Sequence, residues 1–334
     1  MNPMKILIAT GIYPPEIGGP AQYALNLKDI WTKEGHGVKV DVFSRFNFLP
    51  TGIRHIAYFF YILPDVFSAD FILVLDTYSC AFPTVFASRL FRKKVVLRTG
   101  GDFLWESHVE RTRKPVLLRN FYKERISYLS TKEKIVYGLT KWILKNTSKV
   151  VFSTNWQKDI FTPAYDLDST NTTIVENYYG PKEGDFPYKN HTFVGSSRDL
   201  IWKNLVMLGD VFSEIKSAGL FLDNLPFDEF MNKINDSYAV IQVSLGDISP
   251  NLILDSIRMN KPFICTKEVG IFDRIKDAGI FVDPLNKEEI KQAVLELLDP
   301  DKYKLAQERV RHFSFTHTWK EIGDEFLSIY NSIK

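Results

Sequence analysis

The stretch that decides the fold is KILIATGIYPPEIGGPAQYALNLKDIWTKEGHGVKVDVF, Lys5 to Phe43. It opens on a short apolar run, Lys5–Thr10. Such a run, bounded by Gly and Pro, reads as a strand buried on both faces, the form strands take in parallel sheets. A loop rich in Pro and Gly follows, IYPPEIGGP. From Ala21 to Lys33, Leu25, Leu27, Ile30 and Trp31 supply the apolar stripe of an amphipathic helix. Glu34-Gly35-His36-Gly37 stops that helix, and Val38–Phe43 is the next strand. Strand, helix and strand in succession predict a parallel sheet with right-handed crossovers.

The pattern recurs along the chain. Further strands are expected at Phe71–Leu75, Lys94–Arg98, Val150–Ser153 and Thr173–Val175, with helical patterns between them. Together they predict a doubly wound α/β domain over residues 1–180. GPKEGDFP, Gly180 to Pro187, has the composition of a linker. A second α/β domain is expected over residues 188–314, with strands at Thr192–Ser196, Leu220–Leu222, Ala239–Val243, Pro262–Thr266 and Ile280–Val282. Its helices are expected at Asn204–Ala218, Phe227–Asn235, Asn251–Met259 and Lys287–Leu298. The tail, residues 315–334, reads as one more amphipathic helix. The expected fold class is therefore α/β, with two Rossmann-like parallel-sheet domains facing a cleft.

Composition narrows the function. The 334 residues are 45% hydrophobic and 25% charged, enough for two cores. Two cysteines, Cys80 and Cys265, cannot make a disulfide framework, so a reducing compartment is the natural reading. The Asn-X-Ser/Thr triplets at Asn146, Asn171 and Asn190 then carry little weight. No signal peptide is read, because Met4–Ala9 runs straight into Pro14-Pro15. The longest apolar run, Ile56–Leu63, is far below the roughly 18 residues a membrane span needs. Residues 1–180 are net basic and residues 181–334 net acidic, which hints at an anionic partner or is simply a solvated surface. The near-neutral total and the lack of a binding motif argue against nucleic acid.

The chemistry centres on SLGDISPNLILDSIRMNKPFI, Ser244 to Ile264. It follows an expected strand and opens an expected helix, with Pro250 suited to the first turn. Asp247 falls in the loop and Asp255 about one turn into the helix. The free N–H groups and dipole of that helix start favour anions. Asp255 can accept two hydrogen bonds from a diol such as ribose, and Asp247 can do the same for a hexose. Spacing alone fits equally a loop acid and a solvated helix residue. No zinc spacing occurs among the 6 His and 2 Cys, and the triplets Asp166-Leu-Asp168 and Asp299-Pro-Asp301 read as loop or helix-end sequences.

This stretch resembles the donor-site signature of retaining glycosyltransferases of family four (group 1), which have the GT-B fold. That signature has two acids with seven residues between them, then a turn and a strand. Here the acids are Asp247 and Asp255, where the family has Glu; Pro250-Asn251 and Lys261-Pro262 match. YPPEIGGPAQYALNL, Tyr13 to Leu27, is similar to the family's first loop and helix, and GHGV, Gly35 to Val38, fits its next turn. VGSSRDLIWKN, Val194 to Asn204, is similar to its Gly-Arg…Lys segment. VENYYG, Val175 to Gly180, falls at the interdomain segment.

The resemblance implies roles. Arg198 and Lys203 would grip the leaving diphosphate. Gly18, Gly19, Ser249, Pro250, Asn251, Leu252 and Asp255 would bind the donor, and Asp247 the transferred sugar. RTGGDFLWE, Arg98 to Glu106, resembles an acceptor-side loop, so Gly100, Gly101 and Asp102 would face the acceptor, with Asp102 orienting or deprotonating its hydroxyl. The last helix would cross back to the first domain. Between Lys203 and Asp236 about one strand–helix unit of the family's donor domain is missing.

The implied activity is metal-independent retaining transfer of a sugar from a UDP- or GDP-sugar to a glycan or lipid-linked acceptor, with no cofactor. The implied location is cytoplasmic, with peripheral contact at the inner face of the cytoplasmic membrane. Phe43–Phe67 and Arg111–Lys149, rich in aromatic and basic residues, are either that contact or ordinary helices packed on the sheet. The alternative function is a weak or inactive homologue that binds a sugar nucleotide or a partner glycosyltransferase. A dinucleotide oxidoreductase is disfavoured, since GxGxxG with its downstream acid is absent.

Overall fold

The computed structural model describes residues 3–16, 18–196, 198–223 and 225–334. The chain divides into two compact units. The first comprises Met1–Leu104, Tyr128–Tyr178 and His317–Lys334, and the second Trp105–Ser127 and Tyr179–Thr316.

The first unit holds six parallel strands: β1 (Lys5–Thr10), β2 (Gly37–Val42), β3 (Phe71–Val74), β4 (Val95–Arg98), β5 (Lys149–Phe152) and β6 (Thr172–Ile174). They lie in the order β2-β1-β3-β4-β5-β6. β3 and β4 are buried along their whole length, which is why they read as unbroken apolar runs. The opening strand–helix–strand unit forms as expected, with Lys5 opposite Gly37 in a parallel register. Its helix spans Gly19–Lys33. Leu27 and Trp31 bury against β1 and β3 residues Ile6, Ile8, Phe71 and Leu73.

The helix Trp319–Ser332 belongs to this same core. Thr318 and Glu321 start it with a reciprocal capping box. Trp31 donates its indole N–H to the Gly323 carbonyl at 3.3 Å, and Tyr330 stacks on Phe71 with ring centroids 4.7 Å apart.

The second unit holds five parallel strands: β7 (Thr192–Val194), β8 (Gly219–Phe221), β9 (Ala239–Gln242), β10 (Phe263–Thr266) and β11 (Ile280–Val282), in the order β11-β10-β9-β7-β8. Between Lys203 and Asp236 lie one helix (Leu205–Ser213), the edge strand β8 and one helix (Phe227–Asp236). Alternate residues of β9 enter opposite cores: Ala239 and Ile241 face one, Val240 the other.

Two expectations are corrected. The helix expected over Asn204–Ala218 spans only Leu205–Ser213: Asn204, left-handed (φ 61°), stands before its first turn, and Glu214 caps its other end ahead of the expected Ala218. Pro250 caps the helix Asn251–Arg258 instead of lying in its first turn. Asp299-Pro-Asp301 lies at a helix end, as expected, and the helix it opens, Pro300–His312, is an addition to the expected elements: Asp299 caps it by accepting the N–H groups of Asp301 and Lys302.

Candidate functional site

Ligands of open parallel sheets gather beyond the carboxyl ends of the strands, where the strand order reverses. In the second unit the reversal falls between β7 and β9. β7 leads to a single 3-10 turn, Ile201–Lys203, which ends on the left-handed Asn204. The Asn204 amide donates to the carbonyls of Val243 at 3.2 Å and Pro284 at 2.8 Å, which fixes the turn. Lys203 donates to Asp247 Oδ2 at 2.8 Å, and its Nζ sits 4.3 Å from the centre of the Trp202 ring.

Asp247 is held on both sides of its own backbone. Its N–H donates to the Glu268 carbonyl at 2.9 Å, and its carbonyl accepts from the Gly270 N–H at 2.8 Å. The loops after β9 and β10 are thus joined by a one-residue parallel bridge, Asp247 to Val269. One residue earlier, Gly246 lets Leu118 and Trp105 approach closely: a β-carbon there would lie 2.6 Å from Leu118 Cβ and 3.3 Å from the Trp105 ring. Gln242, buried at the end of β9, donates its amide to Asp247 Oδ2 at 2.7 Å and to Ser244 Oγ at 3.2 Å.

The Lys203 and Asp247 side chains are only 8% and 13% exposed. Burial of a charge is tolerated when an opposite charge and hydrogen bonds compensate it, and here an ammonium and an amide converge on one oxygen. Among the described residues no donor reaches the other oxygen, Oδ1. Beside the pair, Arg119 donates to Glu268 at 2.6 Å; burial raises the Glu268 carboxyl above the ordinary range while Arg119 opposes the rise.

Asp255 lies about 6 Å along the axis of helix Asn251–Arg258 from its first residue. It does not join Lys203 or Asp247 in a hydrogen bond. It accepts from Arg258 at 3.1 Å, and Arg258 also bonds Glu183. Burial pushes the Asp255 carboxyl up to about 6, with Arg258 opposing. No side chain caps this helix, and the buried Ser249 hydroxyl has no partner among the described residues. The N–H groups of its first turn, Asn251 and Leu252 included, lack intrahelical acceptors and face the end where an anion is favoured. Arg198 is exposed, its guanidinium 6.0 Å from the Trp202 ring centre. Ser197, beside it, lies outside the described residues.

In the first unit the strand order reverses between β1 and β3. Gly18 precedes helix Gly19–Lys33, whose start no side chain caps. After β3, Asp76 accepts three backbone N–H groups, from Tyr78, Cys80 and Ala81. Tyr78 stacks flat on the half-exposed Phe103, centroids 5.6 Å apart. After β4, Gly100 packs against Arg98, where a β-carbon would lie 2.9 Å from the guanidinium; Gly101 is half-buried and Asp102 buried. Arg98 is itself buried, stacked 3.8 Å over Tyr23 and donating to Ser153. Among the described residues no group of three His, Cys, Asp or Glu side chains is placed to share a metal ion.

Sequence reasoning missed Gln242, Glu268, Arg119 and the Tyr78–Phe103 stack. Gln242 carried a readable signal, as the one polar residue in the strand AVIQ. The others depend on contacts between distant segments.

No family model matches the chain, and a search of curated proteins returned no significant match. Solved structures do match over nearly the whole length. The chain is similar to Anabaena HepE in complex with UDP-glucose, at 14% identity and a TM-score of 0.67, covering 98% of this chain and 100% of that one. It is similar to sucrose-phosphate synthase from Thermosynechococcus elongatus, at 12% identity, a TM-score of 0.71 and 99% coverage of both chains. It is also similar to WaaG, a glycosyltransferase involved in lipopolysaccharide biosynthesis, at 12% identity and a TM-score of 0.64, covering 97% of this chain and 99% of that one. Two parallel sheets with a reversed strand order in each, matched end to end by these structures, identify the fold of this chain as GT-B.

Proposed function

We propose that the chain is a glycosyltransferase of the hexosyl type, moving a sugar from a UDP- or GDP-sugar to a glycan or lipid-linked acceptor in polysaccharide or glycoconjugate synthesis. One observation carries the reading: a buried Lys203–Asp247 pair, backed by Gln242, at the strand reversal beside an uncapped helix start. A GT-B neighbour holding UDP-glucose supports the choice of donor class.

In this reading the diphosphate draws on Lys203 and on the first-turn N–H groups of Asn251 and Leu252, with the exposed Arg198 closing on it. Asp247 Oδ1 accepts from a hexose hydroxyl, and Asp255 from the ribose. The bond between the anomeric carbon and the diphosphate oxygen breaks, and its electron pair leaves with the phosphate. Lys203 and the helix start stabilise that developing charge, the preorganised electrostatic contribution that dominates many enzymes. The acceptor hydroxyl oxygen bonds to the anomeric carbon from the face just vacated, so configuration is retained. Its proton goes to the departing phosphate, and no metal or cofactor is called for. Within the first unit, Asp102 beside the Gly100-Gly101 turn orients the acceptor hydroxyl.

The test is a thermal-shift panel of UDP, GDP, UDP-sugars and GDP-sugars on the wild type, Lys203→Gln and Asp255→Ala. A ligand at 100 times its dissociation constant adds about 2.7 kcal/mol. Stabilisation by one nucleotide that is lost in both variants is expected; a wild-type melt that none of them moves would sink the reading. A second reading, binding without turnover, is favoured by Lys203 being already neutralised by Asp247. Release of nucleoside diphosphate from any sugar nucleotide would exclude it.

A further inference from the structure

Residues Trp105–Ser127 stand in sequence between β4 and β5 of the first sheet, yet they belong to the second unit. The segment is braced from within. Trp105 donates its indole N–H to the Val116 carbonyl at 2.8 Å, and His108 packs on Phe121 with ring centroids 5.2 Å apart. So braced, it meets the loops that carry Lys203 and Asp247.

Three residues make the connection. The Leu118 N–H donates to the Leu245 carbonyl at 3.2 Å, two residues before Asp247. Arg119 donates from Nε to Glu268 at 2.6 Å and from its guanidinium tip to the Lys267 carbonyl at 3.4 Å. Glu110 accepts the Ile201 N–H at 2.7 Å, at the start of the turn that ends in Lys203. The loops are also joined to each other, since the Leu245 N–H donates to the Trp202 carbonyl at 2.8 Å.

Folding stability does not account for Arg119. Its side chain is 46% exposed, and an ion pair with a half-exposed partner adds little to stability. Its effect is geometric. Glu268 is gripped at its carboxylate by Arg119 and at its carbonyl by the Asp247 N–H, 2.9 Å away. The loop after β10 is thereby pinned, and Asp247 with it. Glu110 pins the Ile201–Lys203 turn in the same way. Groups that touch a ligand need such backing to hold their geometry to within about 0.5 Å.

We propose that Arg119 and Glu110 are positioning residues of the donor site: Arg119 sets Asp247 through Glu268, and Glu110 sets Lys203 through the Ile201 turn. The proposal rests on the donor-site reading and adds a division of labour to it. Arg119 serves the sugar end of the ligand, and Glu110 serves the diphosphate.

The experiment is titration calorimetry of the full chain with UDP, GDP and their sugar nucleotides, so that each diphosphate is compared with its own sugar nucleotide. Arg119→Gln should weaken the sugar nucleotide about tenfold, the scale of one misplaced hydrogen bond, and leave the bare diphosphate within about twofold, because only the sugar reaches Asp247. Arg119→Lys keeps the charge and should recover most of that loss. Glu110→Ala should weaken both ligands about tenfold, since both use Lys203. A general loosening of the unit would lower the melt and weaken both ligands together, so it cannot produce the split expected of Arg119→Gln. A wild type that binds none of these nucleotides would overturn the donor-site reading and the proposal with it. If the wild type binds, the positioning roles alone fall on any of three results: Arg119→Gln weakening both ligands equally, Arg119→Gln binding the sugar nucleotide as well as the wild type or better, or Glu110→Ala weakening neither.

Discussion

Removing Lys203 should expose how much the second unit depends on one buried ion pair. In Lys203→Met the Asp247 carboxylate keeps only the Gln242 amide at 2.7 Å and its 13% contact with solvent. Breaking a buried pair from one side costs about 3–5 kcal/mol. The surviving hydrogen bond and partial exposure put this case near the low end, about 3 kcal/mol. Asp247→Leu leaves the ammonium against the Trp202 ring and should cost a similar amount. The double variant leaves neither charge behind, so it should cost about 3 kcal/mol, against the roughly 6 that independent effects would give. Guanidinium unfolding followed by tryptophan fluorescence reads this directly, because Trp105 and Trp202 lie 5.5 Å apart beside the pair. With a slope near 4 kcal/mol per molar, each single variant should lower the midpoint by about 0.7 M. If the double variant instead cost the sum of the singles to within about 0.5 kcal/mol, the two charges would not be coupled and the electrostatic account of the site would be wrong.

Other consequences follow from neighbouring contacts. Gln242→Glu should destabilise by about 2 kcal/mol or more at neutral pH by setting a second buried carboxylate against Asp247, whereas Gln242→Leu should cost about 1 kcal/mol; urea midpoints separate the two. Asp255 has a folded-state pKa raised to about 6, so the folded chain holds a proton the unfolded chain has lost. Its contribution is full below about pH 4 and is lost as pH rises through 6. Asp255→Asn should flatten stability between pH 4 and 6 and be more stable than wild type above pH 6 by about 1 kcal/mol, measured by melting across that window. Gly246→Ala should cost about 2 kcal/mol, because its β-carbon would lie 2.6 Å from Leu118 Cβ; a melt equal to wild type would show that Leu118 and Trp105 yield freely.

Most of the fold was legible because parallel strands are buried on both faces and so appear as short apolar runs. β1 and β11 fall where the sequence puts them, and the remaining strands start or end within about two residues of expectation. Helix Pro300–His312 was illegible by periodicity because its buried stripe is only Tyr303, Ala306 and Val310 among charged residues, although Asp299-Pro300 is a readable start. The site was legible in part. Asp247, Lys203 and the helix start were named from a resemblance, but their pairing joins residues 44 apart in sequence, which no local pattern records. The same holds for Arg119 and Glu268, 149 residues apart. The two faces of helix Ile53–Ser68 could be seen as apolar in sequence, but which face the sheet covers is a tertiary fact.

The contact between Trp31 and Gly323 has a bearing on how the chain is made. The first unit is assembled from three separate segments, and the last of them is the helix Trp319–Ser332. During synthesis the whole of Tyr179–Thr316 leaves the ribosome before that helix exists. Until then the indole N–H of Trp31 has no Gly323 carbonyl to bond and the ring of Phe71 has no Tyr330 above it. The unit begun first is therefore finished last. A nascent chain halted anywhere before Trp319 carries an open apolar seam between β1, β3 and helix Gly19–Lys33, which a holding chaperone could grip and which a protease could use to recognise an unfinished molecule.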